Sequence, residues 1–200
     1  MSVSHGASGK VVTGFSQPWV GLYAESSGTI SFSSQQELAR GVNVTITPDD
    51  PSSNDYWANN QMAESVPGRF SSGTMTLTVD GLLIAAEKLL LGLPTAGTDG
   101  WIAQGDSAGA PYVGIGFIIR YMSGNVESYT PFILPKCKVN PFGPAAATEN
   151  NGEIDWQSQE LTFKVFRADN TNHDWRWIGA DEATEAAALA AMKTKLGIVV

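Results

Sequence analysis

The stretch over residues 111–139 places the strongest constraint on the fold. Its first half carries apolar side chains at every second position, from Val113 through Phe117 to Tyr121, which is the spacing of a β-strand. Ile118 lies between these positions and is also apolar, so both faces of the strand are expected to be buried. The pattern therefore predicts a strand at a central position in a sheet.

A turn and a second strand complete this stretch as a hairpin. Ser123, Gly124 and Asn125 form the predicted turn, because Gly and Asn tolerate positive φ angles. Pro131 and Pro135 interrupt the second half, and proline cannot donate a hydrogen bond to a neighbouring strand. The second half is therefore expected to be an edge strand or a broken strand.

Shorter alternating segments on both sides of the hairpin predict further strands. These candidates are residues 10–13, 19–24, 28–34, 38–47, 70–79, 154–167 and 175–178. We expect a short helix at about residues 81–91, capped by Asp80, and an Ala-rich helix at about residues 182–196, capped by Asp181. Many short strands and only two helices predict a mainly β fold.

We predict a single domain over residues 1–200. Residues 1–10 are small and polar and are expected to form a flexible N-terminal arm. Residues 48–68 are a predicted long loop with Tyr56 and Trp57 in its middle and a candidate strand at residues 55–58. Residues 181–200 are expected to form a C-terminal helical extension.

The charge of the chain argues against one class of function. The formal net charge is −8 and the pI is about 4.6, whereas nonspecific binding to nucleic acid requires clustered Lys and Arg. Charged residues are only 16% of the chain, so much of the surface is neutral and polar. Such a surface is easily desolvated against another subunit, although a neutral surface without a partner has the same composition.

Export and membrane insertion are not indicated by the sequence. Cys137 is the single cysteine, so an intrachain disulfide is excluded. The first residues lack the apolar segment of a signal peptide, and no apolar run has the length of a membrane span. We therefore expect neither a secreted disulfide scaffold nor a membrane protein.

No motif for catalysis or metal binding is recognisable, and we predict no catalytic, cofactor-binding or metal site and no enzyme. His5 lies in the predicted arm. His173 has Asp174 beside it, but adjacent side chains on an extended chain point apart. The acidic loop residues do not match a calcium-binding helix–loop–helix and are interpreted as turn formers: Asp49, Asp50 and Asp55, and Asp99 and Asp106.

Tryptophan is frequent in this chain. The six residues are Trp19, Trp57, Trp101, Trp156, Trp175 and Trp177. On a β-sandwich they could form a platform for sugar rings, which is the basis of an alternative function as a carbohydrate-binding module of a host-recognition device. They could equally belong to the core or anchor contacts between subunits, where Trp is enriched. We prefer the last two interpretations.

The order of several segments resembles a known family. A polar-faced strand (GVNVTITPD) leads into a loop with aromatic residues (NDYWANNQMAESV), and the strand TMTLTVDGL runs directly into the helix LLIAAEKLLLG. A glycine-rich loop, the hairpin YVGIGFIIRYMSGNVESYTPFILPKCKV and the segment EIDWQSQELTFKVFRA follow. Over about residues 11–177 this order resembles the major tail proteins of long-tailed bacteriophages with non-contractile tails (siphoviruses), the phi13-type group.

The resemblance implies a tail-tube fold, a β-sandwich or barrel-like core with a short flanking helix. It implies a structural virion protein that self-assembles into stacked hexameric rings and so forms the tail tube for DNA ejection into the host. The implied partners are further copies of the chain, the tape measure, tail tip and tail terminator proteins, and genomic DNA that passes through the lumen without specific binding. Assembly would take place in the bacterial cytoplasm.

The resemblance also suggests where the rings meet. Ring-to-ring contact in such tubes is made partly by a long loop and by terminal arms, which correspond here to residues 48–68 and the N-terminal arm. The side chains expected at the subunit interface belong to this loop: Asp55, Tyr56, Trp57 and Met62.

Overall fold

The computed structural model describes residues 9–50, 53–106, 108–144, 146–148 and 156–198. Within these ranges the chain forms ten strands and two helices. The strands are β1 (Val11–Ser26), β2 (Thr29–Glu37), β3 (Gly41–Pro48), β4 (Asn54–Ala58), β5 (Gln61–Val66), β6 (Ser72–Val79), β7 (Val113–Ser123), β8 (Val126–Val139), β9 (Gln159–Phe166) and β10 (Trp177–Ile178). The helices are α1 (Ile84–Leu91) and α2 (Glu185–Lys195).

One large antiparallel sheet contains eight of these strands. Seven of them lie side by side in the order β2-β1-β7-β8-β9-β6-β3, and β10 pairs with β8. The sheet curves back on itself, since β3, at one end of this order, contacts β1 near the other end. Gly41 then lies so close to the Phe15 ring that a Cβ atom would be 2.2 Å from it. The predicted mainly β, sandwich-like fold with a short flanking helix and a C-terminal helix is confirmed.

The β7–β8 hairpin contributes the centre of the core inside this curved sheet. Phe117 is fully buried, and its ring contacts Phe15 edge-on at 5.7 Å and is stacked on Phe132 at 5.8 Å between centroids. Helix α1 adds Ala86 and Leu90 to the same core. Burial of such side chains, at roughly 1.5–3 kcal/mol each, is the main stabilising contribution to the fold.

The opposite face of the same hairpin is covered by α2. Ile118 and Ile133 form a second buried cluster with Met192 and other residues of the helix. Gly116 permits this close packing, because a Cβ atom there would lie 2.9 Å from the Met192 sulfur. The prediction that the first strand of the hairpin is apolar on both faces and central in a sheet is therefore confirmed.

The prediction that the two prolines make β8 an edge strand or a broken strand is wrong. β8 is one strand that lies between β7 and β9. The Pro131 carbonyl accepts a hydrogen bond from the Gly179 amide and therefore points toward the segment that begins with β10. The nitrogen of Pro131 points to the same side, so the absence of its N–H removes no hydrogen bond from the β7–β8 ladder. Pro135 lies at an irregularity of the β7–β8 pairing, and proline is tolerated at such bulges.

Strand β1 also differs from the prediction. The two short candidates at residues 10–13 and 19–24 are parts of one strand, which Pro18 does not end. The pairing with β7 shifts between Ser16 and Trp19, and Gln17 has a positive φ of 54° within this bulge. The bulge accommodates the proline, and the strand continues on both sides of it.

Neither helix is capped by the predicted aspartate. Helix α1 begins after Leu83, and Asp80 instead accepts from the Arg40 guanidinium at 2.5 Å. Helix α2 begins after Thr184, whose hydroxyl accepts from the Ala187 amide at 3.3 Å. Both helices are present at the predicted places, but each starts three residues later than the sequence pattern indicated.

The segment between β10 and α2 lies along the outer side of β8. Tyr129 and Glu182 exchange two backbone hydrogen bonds of 2.9 Å, and the Gly179 amide donates to the Pro131 carbonyl at 2.8 Å. Asp181 contacts both the Thr130 hydroxyl and the Lys10 ammonium. Residues 177–182 thus cover an edge of β8 that β9 does not reach, since β9 pairs only with its last residues.

The two ends of the predicted domain organisation are described only in part. Residues 1–8 of the predicted N-terminal arm, and residues 199–200 of the predicted C-terminal extension, lie outside the described residues. Neither α1 nor α2 has the length and apolar character of a membrane-spanning helix, and no other described segment forms an α-helix.

Candidate subunit-contact surface

Most of the described part of the predicted loop at residues 48–68 is a β-hairpin. β4 and β5 form a two-stranded sheet of their own, separate from the large sheet. Asn59 and Asn60 connect them with φ angles of 52° and 61°, the geometry of a tight two-residue turn. The candidate strand at residues 55–58 corresponds to β4.

The four predicted interface residues lie together on this hairpin, divided between its two faces. Successive side chains of a strand point to opposite faces, so Tyr56 lies on one face and Asp55 and Trp57 lie on the other. Trp57 is paired with Met62 across the strands, and Asp55 is paired with Ser65. The register shifts between these two pairs, and this bulge places Met62 and Ser65 on the same face although they are three residues apart on β5. The face with Asp55, Trp57, Met62 and Ser65 is called the Trp57 face below.

Both faces of the hairpin are exposed. Tyr56 is 65% exposed, Trp57 62%, Met62 55% and Val66 63%. An isolated two-stranded hairpin is at best marginally stable in water, and contiguous exposed apolar side chains are typical of interaction sites. This surface therefore has the properties of one side of a protein–protein contact.

The charge on the hairpin is entirely negative. Residues 48–68 contain four acids and no Lys or Arg before Arg69. Asp49, at the base, pairs with Lys164 at 2.7 Å. The Ser65 hydroxyl donates to Asp55 at 2.6 Å, and this bond, with one from Ser53, lowers the pKa of Asp55. The Trp57 face therefore presents a carboxylate that stays ionised at neutral pH.

Two open strands of the large sheet are a second candidate contact. β2 and β3 end the strand order, and no described strand pairs with the outer side of either one. Their exposed N–H and C=O groups are available to a strand of another chain. The sequence does not locate these edges, because which strand is last depends on the whole topology.

The nucleophile and base candidates have structural partners. Cys137 is fully buried, and this burial raises the pKa of its thiol. His173 lies in a turn with φ 54°, with its Nδ1 atom 3.3 Å from the Ala168 carbonyl oxygen. Among the described residues no group of three or more His, Cys, Asp or Glu could hold a metal ion. His5 lies outside the described residues.

The tryptophans differ in their surroundings. Trp175 is stacked on Phe70 at 4.2 Å, and Trp19 and Trp177 each carry a Lys ammonium over the ring, at 4.5 and 4.3 Å. Trp101 and Trp156 are 79% and 86% exposed. No ring pair within the described ranges joins two of the exposed indoles, so a stacked pair of tryptophans is not formed there.

No model of a protein family matches the chain, and no curated protein matches it.

Proposed function

We propose that this chain is a tail tube subunit, the major tail protein of a siphovirus, which self-assembles into stacked hexameric rings for DNA passage into the host. The observation that supports this most is the β4–β5 hairpin, whose apolar side chains are exposed on both faces. A hairpin of this kind is stabilised when a second surface buries its Tyr and Trp side chains. The resemblance in segment order supplies the kind of assembly.

Two kinds of contact have distinct roles in this proposal. The open strands β2 and β3 join neighbouring subunits within a ring, since pairing of strand edges closes a ring without leaving unpaired backbone groups. The β4–β5 hairpin joins one ring to the next. The low content of charged residues, 16%, reduces the cost of desolvating these surfaces.

The net charge of −8 suits passage of DNA through a lumen. A wall that carries excess negative charge repels phosphates and does not retain the duplex. The other partners in this proposal are the tape measure, tail tip and tail terminator proteins. The subunit is assembled in the bacterial cytoplasm and resides in the virion tail.

A carbohydrate-binding module of a host-recognition device is the second candidate function. The exposure of Trp101 and Trp156 favours it, because indole rings stack on sugar rings. This function requires measurable affinity of the single subunit for a glycan. Loss of that affinity in a double Trp101→Ala and Trp156→Ala variant would identify the platform.

Electron microscopy of the purified chain over a series of concentrations tests the proposal. We expect rings or hollow tubes of uniform width, with sedimentation velocity showing species larger than a monomer as concentration rises. Dispersed monomers at every concentration, together with glycan binding that depends on the exposed tryptophans, would favour the second candidate.

A further inference from the structure

An apolar groove lies between α2 and the β8–β10 edge, outside both strand edges and the hairpin. Its volume is about 180 Å³, and apolar cavities of roughly 150 Å³ hold a benzene-sized molecule. Its lining is almost entirely apolar: Pro131, Ile133, Trp177, Ile178, Ala191 and Met192, with Gly179 and Lys195 at the rim. The groove is therefore large enough for one aromatic ring or one thioether side chain.

The rim of the groove carries a positive charge. Lys195 is exposed, and its ammonium lies 4.3 Å from the centre of the Trp177 ring. Among the described residues Lys195 has no ion pair with a carboxylate, although its charge contributes to the lowered pKa of Asp174. An incoming carboxylate at this rim would therefore complete a charge pair.

The Trp57 face of the hairpin is complementary to the groove in both chemistry and spacing. Asp55 and Trp57 are two residues apart on a strand, or about 7 Å. Ala191 and Lys195 are four residues apart on a helix, or about 6 Å. When Trp57 enters the groove beside Ala191, Asp55 is in position to reach Lys195.

We infer that the groove between α2 and β10 receives the Trp57 face of a second copy of this chain, with Asp55 paired to Lys195. This inference rests on the proposed self-assembly and adds the receiving surface. The contact is heterologous, because hairpin and groove are different parts of the molecule. After the first contact one copy keeps a free groove and the other keeps a free hairpin, which allows continued addition of subunits.

Disulfide formation between two different single-site variants tests the inference. Met62→Cys, carrying a size tag, is mixed with Ala191→Cys under mild oxidation. The native Cys137 is fully buried and its raised pKa keeps it protonated, so it stays out of the reaction. Ile84→Cys is the matched control, since it is also exposed on a helix but lies on α1.

We expect the mixed disulfide with Ala191→Cys to exceed that with Ile84→Cys by about tenfold, because docking raises the local thiol concentration. Equal yields, or a preference for Ile84→Cys, would overturn the groove as the receiving surface. If the chain assembles but this disulfide does not form, the groove is not the receiving surface and the proposed function stands. If the chain stays monomeric at every concentration, the proposed self-assembly is contradicted as well.

Charge exchange gives a second, independent readout. Asp55→Lys and Lys195→Glu should each weaken self-association by about three- to tenfold, the scale of a rim ion pair turned into repulsion. Sedimentation velocity of the chain with both changes should show affinity restored toward that of the unaltered protein. Weakening in the double variant by the product of the two single-variant factors would contradict the pairing.

Discussion

Two hairpins in this molecule have the same local construction and opposite surroundings. β7 and β8 are connected by Gly124 and Asn125, and β4 and β5 by Asn59 and Asn60, and all four residues have positive φ. The first hairpin is covered on one face by the core of the curved sheet and on the other by α2. The second hairpin is exposed on both faces.

The comparison shows that turn chemistry and apolar side chains specify a hairpin but not its burial. Tyr56, Trp57 and Met62 are as apolar as many residues of β7, yet they lie outside both core clusters. What differs is the presence of a covering layer within the same chain. The exposed hairpin therefore has the apolar composition of a buried element, and the proposed assembly supplies its covering surface from a second copy.

Removal of the Phe117 ring should have the largest effect on folding. Phe117 is fully buried between Phe15 and Phe132, so Phe117→Ala should lower the free energy of unfolding by about 3–5 kcal/mol. Urea denaturation measures the change. Val126→Ala, near the exposed turn of the same hairpin, is the control and should change stability by less than about 0.5 kcal/mol.

Acidification should lower the stability of the protein by less than the Phe117 change does, because it weakens the contacts of Asp181 with Thr130 and Lys10. Lys10 and Thr130 contact Asp181 and hold the pKa of that carboxyl below its usual range. Its stabilising contribution is complete above the ordinary aspartate pKa of about 3.9 and is lost as pH falls through the lower folded-state pKa. Asp181→Asn should lower stability at neutral pH by less than about 1 kcal/mol.

Urea midpoints measured between about pH 5 and pH 2 check this prediction. The unaltered chain should lose more stability over this range than Asp181→Asn, because the variant has no carboxyl to protonate at that position. Parallel pH profiles for the two proteins would show that the contact contributes nothing to the hairpin edge.

Truncation of Trp57 should have the smallest effect on folding of the three changes. Trp57→Ala is expected to alter the free energy of unfolding by no more than about 0.5 kcal/mol, since the indole is 62% exposed. The same change should weaken assembly, because buried Trp side chains dominate many interfaces. Urea denaturation and negative-stain microscopy measure the two effects separately.

A loss of stability in Trp57→Ala comparable to that in Phe117→Ala would contradict the difference in burial between the two hairpins. Unimpaired growth of tubes by Trp57→Ala would instead show that the Trp57 face makes no contact needed for assembly. Tyr56→Ala, on the opposite face, is the matched variant that tells which face makes the contact.

The sequence predicted the parts of the fold that depend on local periodicity. The alternation in β6 and β7 located both strands, and the apolar content of both faces of β7 indicated a central position. The helix starts were wrong because Asp80 and Asp181 have partners elsewhere, Arg40 and Thr130, that no local pattern identifies. The prolines of β8 were misjudged for the same reason, since their tolerance depends on the neighbouring strands.

The sequence predicted which residues lie on the candidate surface, but it predicted a long loop where the structure has a β-hairpin. Tyr56 and Trp57 are conspicuous in the sequence because they are aromatic residues within a long polar segment. The turn at Asn59 and Asn60 was the available signal for a hairpin, as Asn adopts positive φ readily. The groove beside α2 was not predictable, because its walls come from β8, β10 and α2, which are distant in sequence.

Residues 177–182, which cover the edge of β8, also affect the behaviour of the chain during translation. During translation β8 leaves the ribosome before β10 and α2, so a nascent chain carries an uncovered strand edge and an uncovered apolar face next to Ile118. Both features favour association with other nascent chains. Completion of β10 and α2 therefore removes these two association-prone surfaces, and the exposed hairpin and the open strands β2 and β3 remain for contacts between finished subunits.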